Sequence, residues 1–190
     1  MKQNLSSPNT DDIPLVIYGF IDLHLQRNVA VANWVRSLAA RRTQYIVPPH
    51  VRVGKTGLEY YGPDSISFWP LESRSALVAL LANAYLELRL RNRGSQLPAT
   101  TALIEQMNKL VLAQRKRFLI VLLNRPPKGL VPFLENKEIS YVNCDNPAFD
   151  KIPSEYHLGG IGHPNAAQNA LWATCIGRWI DAKMPELARP

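Results

Sequence analysis

Apolar positions along the chain fall into two kinds of pattern, short unbroken runs and longer stretches with helical spacing. Residues 13–20 (IPLVIYGF) form the first run, rich in β-branched and aromatic side chains and too short for a helix, so a strand is predicted. Residues 117–123 (RFLIVLL) form the second, closed by the breaker Arg125-Pro126-Pro127, and residues 139–144 (ISYVNC) a weaker third. Because these runs are continuous rather than alternating, they predict strands buried on both faces, as in a parallel sheet covered by helices. Helical spacing recurs over 29–40, 73–90, 100–113 and 165–180. It puts Leu77, Leu80, Leu81, Ala84 and Leu88 on one face of the second helix, and Leu171, Cys175 and Trp179 on one face of the last. Strands alternating with helices give an α/β class with a parallel sheet, whose sites form beyond the C-terminal ends of the strands. Three segments qualify: 19–28, 124–129 and 145–165.

Between 45 and 70 the texture changes. Pro48-Pro49, the turn Gly54-Lys55-Thr56-Gly57 and Gly62-Pro63 flank 51–53 and 58–61, which predicts a small β-hairpin inserted in the α/β layout. The length of 190 residues otherwise suits one domain over 1–190, and no internal repeat interrupts it.

Composition narrows the function classes. Hydrophobic residues at 46% and charged ones at 19% exclude an intrinsically disordered chain. The longest apolar run, 118–123, is far short of the roughly 20 residues that span a bilayer, so no membrane partner is expected. The polar stretch 1–12 is not expected to act as a secretory signal, and the compartment stays open. The charge of +7 invites a nucleic-acid reading. However, its clusters, Arg41-Arg42, Arg89 with Arg91 and Arg93, and Arg115-Lys116-Arg117, each close a predicted helix, where cations complement the C-terminal carbonyls. No nucleic-acid partner is therefore expected. Cys144 and Cys175 lack metal or redox spacing and read as buried thiols in apolar stretches. His24, His50, His157 and His163 lack a ligand set with a fixed carboxylate, and the glycines at 159, 160 and 162 come without the lysine of a phosphate loop. No metal and no cofactor is expected. Of the four tryptophans only Trp69, in the insertion, is read as a substrate contact.

Two blocks carry chemistry. The first is Tyr156-His-Leu-Gly-Gly-Ile-Gly-His-Pro-Asn165, running into the last helix with Pro164 near its start and His163 in a glycine-rich turn. The second is Gly19-Phe20-Ile21-Asp22 at the end of the first strand, followed by His24, Arg27 and Asn28. Together they resemble the final and middle blocks of the SGNH or GDSL hydrolase family. The resemblance casts His163 as the general base that activates a serine, a task suited to an imidazole with a pKa of about 6.5. It also makes Asp22, His24, Arg27 and Asn28 the residues lining the substrate and oxyanion site. The family places an oxyanion-donating asparagine where Ile21 stands, and an aspartate where Gly160 stands, three residues before the histidine.

No Gly-Asp-Ser, the family's nucleophile turn, occurs in the sequence; Gly62-Pro63-Asp64-Ser65 lies after the middle block, in the wrong order. The resemblance thus implies the C-terminal part of a serine ester hydrolase, with the nucleophile outside these residues. It further implies a partial flavodoxin-like three-layer α/β/α sandwich with a bare strand edge prone to self-association, and a small ester or an acetylated saccharide as substrate. A non-catalytic module that kept the scaffold and serves as a binding or interaction protein is the alternative.

Overall fold

A computed structural model describes residues 13–39, 44–90, 96–149, 151–158 and 163–185. Elements are numbered in chain order. The first half holds β1 (Leu15–Phe20), α1 (Leu23–Asn28), α2 (Ala32–Leu38), β2 (Gln44–Val47), β3 (His50–Gly54), β4 (Gly57–Tyr61), β5 (Asp64–Ser67) and α3 (Ala76–Arg89). The second holds α4 (Gln96–Leu112), β6 (Arg117–Leu122), α5 (Leu130–Asn136), β7 (Tyr141–Asn143), α6 (Pro153–Tyr156), β8 (His157–Leu158), β9 (His163–Pro164) and α7 (Ala166–Lys183). Two compact units result. One gathers the described residues of Met1–Asp22 and Glu105–Pro190, the other those of Leu23–Ile104, the division falling within α4.

The first unit is built on a parallel sheet of order β1-β6-β7, as the alternation of strands and helices predicts. β1 runs beside β6 from Leu15↔Arg117 to Phe20↔Leu122, and β7 beside β6 from Ile120↔Tyr141 to Leu122↔Asn143. Burial on both faces is found in β6, where Phe118 to Leu122 are all buried, and not in β1. There only Phe20 is buried and Ile17 is 44% exposed; among the described residues β1 is an edge with a strand on one side alone. Trp172, Cys175, Ile176 and Trp179 of α7 pack on Leu119, Val121 and Cys144. The two cysteines are not free thiols: Cys144, just past β7, and Cys175 in α7 are joined as a disulfide, so the sheet's end and its covering helix are covalently tied.

The second unit contains the insertion, in which the predicted hairpin is present and is nested inside a second ribbon. β3 pairs with β4 around the Gly54 to Gly57 turn, where Gly57 takes φ 128°, a conformation that favours glycine. β2 and β5 pair outside them, Gln44↔Ser67 to Val47↔Asp64. Two apolar clusters hold this unit together. One joins Val35, Tyr45, Val47, Ile66, Leu86 and Leu90; the other joins Val29, Val31, Val51 and Ala99, with Trp34 and Leu103 against them. α3 begins at Ser75, whose hydroxyl caps it by accepting from Val78 N–H at 3.4 Å. Its buried residues are Ala82 and Leu86; the leucine stripe predicted from spacing faces the other way, into solvent. Of the basic clusters, Arg89 ends α3 in an ion pair with Asp64, Arg115 to Arg117 follow α4, and 41–42, 91 and 93 lie outside the described residues.

Candidate functional site

At the C-terminal end of the first unit's sheet, β1 passes into the Gly19 to Asp22 turn. A Cβ on Gly19 would meet Leu123 Cδ1 at 3.0 Å, so a glycine lets the end of β1 lie close to β6. Asp22 and Asn124 then close the two strand ends on each other: Asp22 N–H donates to Asn124 Oδ1 at 3.1 Å, and Asn124 Nδ2 donates to Asp22 Oδ1 at 2.8 Å. Asn124 lies just past the second apolar run, inside a segment marked by the strand-end rule, yet no motif singles it out. Its consequence is chemical. The Asp22 N–H and one carboxylate oxygen are both engaged by a single amide. Ile21, at the family's asparagine position, is half-buried and brings no side-chain donor. Three residues earlier, on β1, burial pushes the Tyr18 hydroxyl up to about 12, so it stays a neutral phenol.

His163 stands in the same unit on a two-residue ribbon, β9, paired antiparallel to β8 with Leu158 as its partner. Its imidazole is exposed and makes no side-chain hydrogen bond among the described residues. Gly160, at the aspartate position, lies outside the described residues. The rest of the triplet explains why the chain turns here. Asn165 caps α7 by accepting from Gln168 N–H at 3.1 Å, while its Nδ2 donates to the Glu155 carbonyl at 2.6 Å and its N–H donates to the Tyr156 carbonyl at 2.8 Å. Asn146 Nδ2 donates to the buried Gln168 Oε1 at 2.7 Å, and Trp172 Nε1 donates to the Leu123 carbonyl at 3.1 Å. Phe149 lies between the His157 and Trp172 rings, centroids 4.0 and 6.3 Å away. The start of α7 is thus anchored to the loops after β6 and β7, and His163 is carried on that anchor.

The other three predicted residues belong to the second unit. His24, Arg27 and Asn28 lie on α1, a short helix ahead of the first one predicted from spacing. Arg27 does not pair with a carboxylate among the described residues; its guanidinium lies 4.5 Å over the Trp34 ring, with Nε buried and unpaired. Asn28 Nδ2 donates to the hydroxyl of Thr100, which is wholly buried. Arg27 and Asn28, without His24, border a cleft of about 610 Å³ whose other walls include Trp34, His50, Tyr60 and Tyr61. His50 Nδ1 donates to the Pro48 carbonyl at 3.1 Å, its ring stacks on Tyr61 at 5.1 Å, and its Nε2 is buried without a partner. Burial holds the His50 imidazole below its ordinary pKa of 6.5. Trp69 lies elsewhere in this unit, with its ring 5.6 Å from Tyr85. Among the described residues no group of His, Cys, Asp and Glu side chains is placed to hold a metal ion. No helix among them is long and apolar enough to cross a membrane. Comparison with known protein families, curated proteins and solved structures finds no match to this chain.

Proposed function

We propose that these residues form the C-terminal part of an SGNH-type serine ester hydrolase. In this reading His163 takes the proton of a serine hydroxyl that lies outside the sequence, the serine attacks the acyl carbonyl of a small ester or an acetylated saccharide, and His163 returns the proton to the leaving oxygen. The observation that carries it is the convergence, within one unit, of a parallel sheet ending in the Gly19 to Asp22 turn and a His-Pro-Asn triplet whose asparagine caps the helix covering that sheet. The flavodoxin-like three-layer arrangement is part of the same proposal, with further strands adding at the free edge of β1; left bare, that edge would favour self-association.

Hydrolysis of p-nitrophenyl acetate and of an acetylated xylo-oligosaccharide by the complete gene product tests the reading. His163→Ala is expected to lower kcat by about 10²- to 10⁴-fold with KM nearly unchanged. One observation favours the non-catalytic alternative: Asp22 spends its N–H and a carboxylate oxygen on Asn124. Saccharide binding without ester hydrolysis in any form of the protein would select it.

A further inference from the structure

We propose that α3 is the contact helix of a symmetric homodimer. The helix is apolar on two sides. Ala82 and Leu86 fill the second unit's core, while Leu77, Leu80, Leu81, Tyr85 and Leu88 are 65, 64, 49, 39 and 58% exposed and Ala84 is exposed among them. A second apolar face beyond the one that fills the core is a surface that gains from being covered. The patch continues into Trp69, whose ring lies 5.6 Å from that of Tyr85 at a tilt and which is 38% exposed. Just before the helix comes Leu71, 62% exposed and held at φ 65°, a backbone conformation costly for a bulky side chain.

The order of the exposed positions identifies a second copy as the occupant. About a midpoint between residues 82 and 83, Leu77 answers Leu88, Leu80 answers Tyr85 and Leu81 answers Ala84. Two α3 helices set antiparallel across a two-fold axis therefore place an apolar residue against an apolar residue at each of these positions, as an isologous interface requires. The seam 77, 81, 84, 88 has the four-three-four spacing of packed helix pairs, and the small Ala84 opposite Leu81 lets the axes approach. Each N-terminus also lies beside the other copy's C-terminus, an arrangement the helix dipoles favour. Arg89, at the rim, is neutralised by Asp64 at 2.8 Å. A standard interface buries ~800 Å² per partner, and seven large side chains here, Trp69, Leu71, Leu77, Leu80, Leu81, Tyr85 and Leu88, each keep more than a third of their surface open to contribute to it.

Sedimentation equilibrium of the full chain, alongside the Leu80→Glu/Leu88→Glu double variant, tests the proposal. A concentration-dependent dimer is expected, weakened by about a hundredfold or more in the double variant while its circular dichroism and melting stay those of a folded chain. A mixture of Leu77→Cys and Leu88→Cys proteins is expected to cross-link on oxidation, and Leu77→Cys alone is not. A monomer at all concentrations overturns the proposal, as does a dimer untouched by the double variant or dissolved only by Ile17→Lys on the β1 edge. Unfolding of the double variant would show that the face is covered within a single chain, which also overturns it. Cross-linking of Leu77→Cys to itself would contradict the antiparallel arrangement.

Discussion

Asn165 does two things at once: it caps α7 with its carbonyl oxygen and ties the α6 carbonyls back with its amide. Asn165→Ala should therefore cost about 1–2 kcal/mol of unfolding free energy, read by urea titration, and Asn165→Asp should recover only part of it, keeping the capping acceptor but setting a carboxylate oxygen against the Glu155 carbonyl. His50 gives a pH signature. Its folded-state pKa lies below the ordinary 6.5 because burial disfavours the imidazolium. Below that ordinary value the unfolded chain binds a proton that the folded chain does not, so stability is full above about pH 7 and falls as pH drops through 6.5 toward the depressed folded value. Melting temperatures from pH 7.5 to 5 should show this slope in the wild type and a shallower one in His50→Gln; equal slopes would contradict it. The two residues were unequally legible. Asn165 sits in a recognisable triplet, whereas His50, Tyr60 and Tyr61 become cleft walls only because β3 and β4 fold Tyr61 opposite His50, a pairing set by register rather than by any motif.

Among the elements, β6 and β1 carry the same unbroken apolar text and end in different surroundings. Pattern specifies a strand that can be buried; its neighbours and cover specify whether it is, and among the described residues β1 has one neighbouring strand. The stripe on α3 shows the same limit, since helical spacing identifies a face without saying whether core or solvent lies beyond it. The disulfide was hidden for a third reason. Cys144 and Cys175 are 31 residues apart, a separation with no signature, and they meet because α7 packs back across the end of β7. Closing a loop of that length should stabilise the chain by up to about 4 kcal/mol, so Cys144→Ser with Cys175→Ser is expected to lower the urea midpoint accordingly. Thiol titration of the denatured, unreduced chain should find none free; two would contradict the pairing.

For the whole molecule, the α/β class and the parallel sheet were readable from alternation. The division into two units was not, because it falls inside α4, a continuous helix whose spacing never changes character. That division also separates the predicted site residues in the description: Asp22 and His163 belong to one unit, and His24, Arg27 and Asn28 to the other. The central claim, that His163 is the base of a serine ester hydrolase, rests on the first unit. Its most direct test is trapping with a serine-directed phosphonate, using the complete gene product, the 190-residue chain and the His163→Ala form of the complete product, with the labelled residue located by mass spectrometry. A single label is expected on a serine outside the 190 residues, formed at least about a hundredfold more slowly in His163→Ala, and none on the short chain. A label on Ser65, a rate indifferent to His163, or no label on any form would contradict it.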